Sequence, residues 1–448
     1  MKRIIYFIIL VTFYTACTDD DSFSDNGALR LAFTTDTVKL DTLFSRTPSS
    51  TYTFWVHNPN DEGIRLQSVR LSRRNQTGFR VNVDGSYLDN ALGSVANDLE
   101  IRRKDSILVF VELTSPETSQ PEPKLIEDDL VFTLESGIEQ KVNLRAWAWD
   151  AQKLYNAEVT RDSLIESATP IIIYGGITVR EGARLTIRNT TLYFHDKAGL
   201  DVYGELITEN CVMRGDRLDR MFDYLPYDRV SGQWRGIHFY ESSKIGRLSY
   251  TEIRNAEDAI VLDSAALDTT QVRLGMGNCI IHNAKGYGLL AVNSSVYMEN
   301  CQFTNTLGDC VSIIGGMADI HYCTLGQFYP FSAERGAALH FANYLYEVDI
   351  PLIRLHCEGS ILTGYDDDVI MGSVRDTVAA FEYQFVHSLL RTPKVETADS
   401  IRFADILWET PKDSVQGKQH FKTIDEENLY YDFHLDSLST AQGLGCYR

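Results

Sequence analysis

The sequence predicts an all-β protein, a small β-sandwich followed by a parallel β-helix. Three observations carry that expectation. Residues 29–149 hold short apolar runs of period two separated by turn residues, and a five-residue pattern recurs at a base interval of about 22 from residue 190 onward. The composition, 44% hydrophobic and 23% charged over 448 residues, is globular; it excludes collagen-like, coiled-coil and wholly disordered chains. Forty-two basic against 62 acidic residues leave a net charge of −20. A nucleic-acid partner needs a cationic footprint, so that class is excluded. The longest apolar run lies at the N-terminus and is too short to span a bilayer, which excludes a polytopic membrane protein.

Taken in order, the chain opens on an address. Lys2 and Arg3 precede an apolar stretch at 4–14, and the small residues Thr15 and Ala16 stand before Cys17. This is the grammar of a secretory signal peptide at 1–16. It resembles the lipobox of bacterial lipoproteins, with Tyr14 where Leu is usual, and the resemblance implies that Cys17 is lipidated and becomes the mature N-terminus. The following Asp19, Asp20 and Asp21 resemble the surface-export signal of Bacteroidetes lipoproteins, against the plainer alternative of a solvated tether over 17–28. The implied location is the outer membrane, exposed at the cell surface, with a periplasm-facing anchor as second choice. Loss of Lys2 and Arg3 takes the charge from −20 to −22. Membrane contact is expected through the lipid alone.

In residues 29–149 the runs 51–56, 64–71, 79–83, 106–113 and 130–134 alternate in polarity and are rich in β-branched and aromatic residues. Residues 58–63 and the pair Asp84 and Gly85 supply turns. About seven strands in some 120 residues make a sandwich the default. It resembles the immunoglobulin-like modules that precede larger domains in Bacteroidetes lipoproteins, and nothing in it clusters into a site, so it is expected to act as a spacer.

From residue 150 to 448 a repeat sets the fold. The pattern is a small residue, any residue, an aliphatic, any residue, then Asn or a substitute. It starts at Thr251, Cys279 and Cys301, and more loosely at Thr190, Cys211, Cys323, Ser360 and Ser388. A second short strand follows most copies, at 259–262, 288–291, 310–313, 337–341 and 369–371. Coils of this length pair backbone with the coils above and below, about 4.8 Å apart. Asn at one corner suits both amide stacking and the turn conformation. The LxxLxL spacing of a leucine-rich repeat is missing.

Residues 170–448 resemble the right-handed parallel β-helix proteins of the pectate-lyase-like superfamily. Residues 175–187 look like a first turn, 198–206 like the next, 233–239 like a tryptophan-bearing turn, and 429–443 like the closing segment, a C-terminal cap. The resemblance identifies a fold that hosts lyases, hydrolases and adhesins, more than one activity.

Cysteines and carboxylates supply the candidate chemistry. Beyond Cys17 there are seven cysteines, an odd number that argues against a full disulfide framework. Cys211, Cys279, Cys301 and Cys323 share one repeat position and read as a column of inward thiols acting as small hydrophobes. Residues 308–313 resemble the Asp-Asp-Cys segment of polygalacturonase-type hydrolases, with Gly308 in place of the first Asp; Gly-His-Gly is absent, and residues 150–448 hold no Arg-x-Lys. Asp309 is thus a candidate catalytic residue or part of a turn. Counting from the corner puts Asp309 and Asp368 on one column, two coils and about 10 Å apart, near the upper end for an inverting glycosidase. Asp367 joins this set, and Arg335 or Lys285 is a candidate base should the fold work as a lyase. In the triplet 366–368, Asp366 and Asp368 are candidate Ca²⁺ ligands or a solvated turn. Long insertions after 211 and 323 carry aromatics suited to sugar stacking or to a buried lid: Tyr224, Tyr227 and the nearby Trp234, then Tyr329 and Tyr344.

The sequence therefore implies a lipid-anchored surface protein that binds glycans or serves a structural, adhesive role without catalysis. The alternative is a polysaccharide lyase or glycoside hydrolase acting on acidic glycans. No cofactor is required; Ca²⁺ is implied for a lyase. The −22 body opposes a polyanionic substrate by repulsion unless Ca²⁺ bridges the two.

Overall fold

The computed structural model describes residues 22–220, 226–375, 378–397, 399, 401–410 and 417–447. Cys17, the acidic tract behind it and Tyr224 lie outside the described residues. The chain divides into two units, 1–150 and 151–448. Among the described residues no helix is long and apolar enough to cross a membrane.

The first unit is a β-sandwich of two five-stranded sheets, ten strands where about seven were expected. The strands Tyr52–His57, Ile64–Leu71, Phe79–Val83 and Ser106–Leu113 fall on the alternating runs. Their inward residues form the core: Phe54, Val56, Leu66, Val69, Val81, Val109 and Val111 are all buried. Asp84 (φ 50°) and Gly85 (φ 84°) both take the left-handed conformation in the two-residue turn to Ser86–Tyr87, as a hairpin twisted like its strands requires.

The second unit is a parallel β-helix whose strands join one continuous sheet of 23. It begins at Gln152–Val159, which pairs in parallel with Ile171–Val179. The turn expected to open the helix at 175 is therefore preceded by another coil. Register links Thr190 with Cys211 and Cys211 with Thr251. The pairs Glu252–Ile280, Ile280–Gln302, Gln302–Thr324, Thr324–Ile361 and Ile361–Leu389 carry the same line through Cys279, Cys301, Cys323, Ser360 and Ser388. Every repeat start read from the sequence thus lies on one column. Two residues on, Leu192, Met213, Ile253, Ile281, Phe303, Leu325, Leu362 and Leu390 fill the interior with no exposed surface. Burying each such side chain contributes about 1.5–3 kcal/mol. All seven described cysteines are free, and all but Cys446 are buried; burial pushes the Cys310 and Cys357 thiols up to about 12.

Two corners need left-handed backbone. Asn255, Asn283 and Asn305 (φ 59–62°) occupy the corner the pattern singled out, and Asn283 donates to the Asn255 side chain at 2.8 Å. A second left-handed corner stands one residue before the cysteine column, at Asn189, Asn210, Tyr250, Asn278, Asn300, Tyr322, Gly359 and His387. Asn210 donates to Asn189 there at 3.0 Å. Coil spacing is tight at Gly236 (φ 93°), where a Cβ would stand 1.7 Å from the Asp258 carbonyl oxygen.

The C-terminal segment does not simply close the helix end. Its hairpin, Phe421–Asp425 with Tyr430–Leu435, runs back along one flank. There Phe421, Phe433, Ala441 and Leu444 pack with Phe328, Ile361 and Leu389, and Tyr447 donates to the Gln302 side chain at 2.9 Å.

Candidate functional site

The residues proposed from sequence do not assemble into one site. Asp309 is buried: one carboxyl oxygen accepts from the Ala337 N–H at 2.8 Å and the other meets His340 Nδ1 at 3.2 Å. His340 also approaches Ser312 through Nδ1 (3.3 Å) and Ser373 through Nε2 (3.2 Å), so the chain of polar contacts ties neighbouring coils together. The register Val311–Leu339–Ile370 does put Asp309 and Asp368 in line, with Ala337 between them. Asp368, however, turns back to its own strand and accepts from the Ile370 N–H at 3.3 Å. Asp367 is held by Arg391 at 2.9 Å. Asp366 and Asp368 are not gathered with a third ligand; the one cluster of three metal-ligating side chains among the described residues lies elsewhere. The triplet lies in a bend, with Asp367 turned to Arg391 and Asp368 to its own strand. Arg335 stacks over Tyr365 at 4.8 Å, and its Nε and Nη1 are buried without a hydrogen-bond partner among the described residues.

The aromatic set is likewise dispersed. Trp234 is a core residue, 1% exposed, stacked on Phe194 at 4.2 Å with its indole N–H on the Arg254 carbonyl. No sugar can reach it. Tyr329 is buried, its hydroxyl 2.9 Å from Ser231 Oγ. Tyr227 lies under the Arg217 guanidinium at 3.7 Å. Tyr344 packs beside Val292, Ile314 and Ala342 on another part of the helix. The insertions are mixed: Phe328 and Tyr329 are buried, Tyr227 and Tyr344 half-buried, and Phe331 and Tyr346 exposed.

A different concavity carries the charge. Outward residues of successive coils stack Arg214, Arg254, His282 and Thr304, because Met213 pairs with Ile253, Arg254 with His282, and His282 with Thr304. The insertion after 211 adds Arg220, Asp228 and Arg229. The hairpin roofs the column with Tyr430, Tyr431, Asp432, Phe433 and His434, and Phe331 closes one side. The result is a cleft of about 450 Å³, within the range of small-ligand sites. Four arginines and two aspartates line it, the reverse of the balance in the whole chain.

Neighbours tune each group. Burial, then the adjacent Arg214, lowers the Arg254 guanidinium from its ordinary value; Glu252 pairs with it from the same strand. Arg214 is also lowered by burial and is steadied by the Arg217 and Asp228 carbonyls, each at 3.2 Å. Arg229 donates to the Asn428 carbonyl, which ties the insertion to the roof. His282 is covered by Tyr431 and Phe433, with ring centroids at 5.4 and 6.3 Å. Burial and then Arg254 push it down to about 3, so at neutral pH it is an uncharged hydrogen-bonding ring. Asp228 is raised by burial, against Arg220, Arg229 and Arg214, and its Oδ1 has no hydrogen-bond partner among the described residues. For Asp432, burial pulls upward, but the His434 N–H and ring hold it below the usual carboxylate range.

This cleft was missing from the sequence reading, although part of its signal was present. The position before the corner Asn reads Arg214, Arg254, His282 along the repeat, and the insertion is rich in arginine within an acidic chain. The roof gave no such signal.

Compared with known families, residues 158–325 match the model described as right handed beta helix region, so the solenoid is a right-handed parallel β-helix. No curated protein matches the chain. Among solved structures it is similar to a family 123 glycoside hydrolase from Clostridium perfringens, whose description concerns glycolipid glycan hydrolysis. That match has 7% identity and a TM-score of 0.20, over 29% of this chain and 30% of that one. It is also similar to the catalytic unit of a thermostable GH87 alpha-1,3-glucanase from Streptomyces thermodiastaticus strain HF3-3, with 9% identity and a TM-score of 0.33, over 80% of this chain and 88% of that one. At these values neither structure brings an activity to this chain.

Proposed function

We propose that the cleft binds an anionic saccharide. The observation that carries this is the concentration of Arg214, Arg220, Arg229 and Arg254 in one concavity of a chain with net charge −20. Guanidinium groups take carboxylate or sulfate through paired donors, and Tyr431 and Phe331 offer faces for sugar rings. The repulsion expected from the acidic body is met locally, without a bridging Ca²⁺. Isothermal titration with oligogalacturonates and sulfated glycosaminoglycan fragments tests the reading, with neutral glucan oligomers and a single-stranded oligonucleotide as controls. Saturable binding of the anionic sugars alone supports it. Equal binding of the neutral oligomers would sink it.

One observation favours a second, catalytic reading. Asp228 and Asp432 line the same cleft, and their surroundings move them in opposite directions. One carboxyl raised and another lowered within one cleft is the pattern from which an acid and a base are assigned in glycoside cleavage. New reducing ends or unsaturated products from those oligosaccharides, lost in both D228N and D432N, would establish turnover. Binding without product leaves the protein a glycan-binding one.

Lipid attachment at Cys17 and display on the outer membrane complete the proposal, resting on the N-terminal residues alone. Mass spectrometry of the mature N-terminus checks it: an acylated Cys17 is expected, and an unmodified one refutes the anchor.

A further inference from the structure

On the β-helix, away from the residues lining the cleft, two imidazoles and a carboxylate converge. His321 ends the strand Val311–His321 and pairs across the sheet with Glu358, the last residue of Leu352–Glu358. His356 lies two residues before Glu358 and so shares its face. All three are accessible, with 22%, 25% and 40% of their side chains exposed. Their ligand atoms lie within 4.8 Å of one another.

The distances fit coordination better than hydrogen bonding. His321 Nδ1 and His356 Nε2 each lie 3.5 Å from the same oxygen, Glu358 Oε2, long for a charge-assisted hydrogen bond. With metal–ligand bonds of about 2.0–2.1 Å, tetrahedral geometry separates ligand atoms by roughly 3.3–3.4 Å. A second layer fixes the donor atom of one ring. Gln384 Nε2 donates to the Ile401 carbonyl at 3.0 Å, so its Oε1 faces His356 Nδ1 at 3.1 Å and takes that proton. The lone pair is then on Nε2, aimed at the carboxylate. A cation between these two electron-rich groups satisfies both, and a histidine oriented through its other nitrogen is the usual support of a metal ligand. Arg354, two residues before His356 on the same strand, is already paired with Asp319.

We propose that His321, His356 and Glu358 bind one divalent ion of the Zn²⁺ class. Two imidazoles and a carboxylate suit Zn²⁺ or Co²⁺, whereas Ca²⁺ takes six to eight oxygens. Three protein ligands leave a fourth position for water or a ligand group. The proposal is independent of the saccharide cleft.

The test uses the full mature chain, purified without a histidine tag and stripped with chelator. Zn²⁺ titration by calorimetry, with Co²⁺ as a spectroscopic probe, should give one tight equivalent per chain and the visible absorption of tetrahedral Co²⁺. H321N and E358Q should each abolish that equivalent while melting like the parent without metal. Q384A should weaken it by roughly 10–100-fold, and R254M should leave it unchanged. If the parent takes up no equivalent, or if H321N and E358Q both retain it, the site is refuted; retention would place the ion on the thiols instead.

Discussion

Two charged regions of the same solenoid behave in opposite ways. Around Asp309 and the 366–368 turn, acidic groups are matched one by one: Asp309 by an N–H and His340, Asp367 by Arg391, Asp368 by its own strand. In the cleft under the C-terminal hairpin, arginines exceed aspartates and one Asp228 oxygen is buried without a partner among the described residues. The first region resembles a catalytic site by residue type, the second by physical state. Charge marks a site where one sign gathers in a concavity, not where carboxylates merely cluster in sequence.

The largest effect expected from breaking this contrast lies beneath the acidic turn. Arg391 and Glu409 are almost wholly buried and bonded to each other, and His420 and the Gly417 N–H complete the group. E409A removes the buried carboxylate from Arg391, whose other acidic partner, Asp367, is exposed, and should cost about 3–5 kcal/mol in urea unfolding. Burial pulls the Glu409 carboxyl upward, but His420, Gly417 and Arg391 hold it below its ordinary value of 4.5. Its folded-state value is therefore the lower one. The stability it adds is present above about pH 4.5 and is lost as pH falls through the depressed value. Unfolding midpoints of wild type should drop across that window, and those of E409A less steeply.

In the cleft the effects should fall on binding. R254M removes a charge-assisted contact worth roughly 1.5–3 kcal/mol, so affinity for an anionic oligosaccharide should fall about 10–100-fold while the melting temperature barely moves. Y431A should weaken binding several-fold through a lost stacking face of about 1 kcal/mol. It also uncovers His282, whose pKa should rise from about 3 toward its ordinary 6.5, a shift that an NMR titration reads directly. The smallest effect belongs to the exposed Asp368: D368N should change neither stability nor binding by more than about 0.5 kcal/mol. A large loss of activity there would restore the acidic turn as a catalytic site.

The fold was legible because a solenoid repeats its demands. Thr190, Cys211, Thr251, Cys279, Cys301, Cys323, Ser360 and Ser388 face one narrow interior position, so the chain keeps writing small residues at it. The Asn255 corner was legible for the same reason. The corner from Asn189 to His387 was not, since Tyr250, Tyr322 and Gly359 interrupt its asparagines and only backbone conformation unites them. The cleft was half legible: its floor repeats, but its roof at 430–434 comes from a segment far along the chain, and nothing local says that it folds back. Trp234 misled because an aromatic beside a loop reads as exposed, whereas here it fills the gap above Phe194. His321 is separated from His356 and Glu358 by a long insertion that hides their shared face.

The central claim is that the arginines gathered in the cleft, not the aspartate turn, make the binding site. Fluorescence anisotropy of a labelled oligogalacturonate tests it most directly, comparing wild type with the R214M/R254M double variant and with D309N/D368N. The account predicts salt-sensitive binding that the arginine variant loses and the aspartate variant keeps. Binding that survives in R214M/R254M and vanishes in D309N/D368N would contradict it.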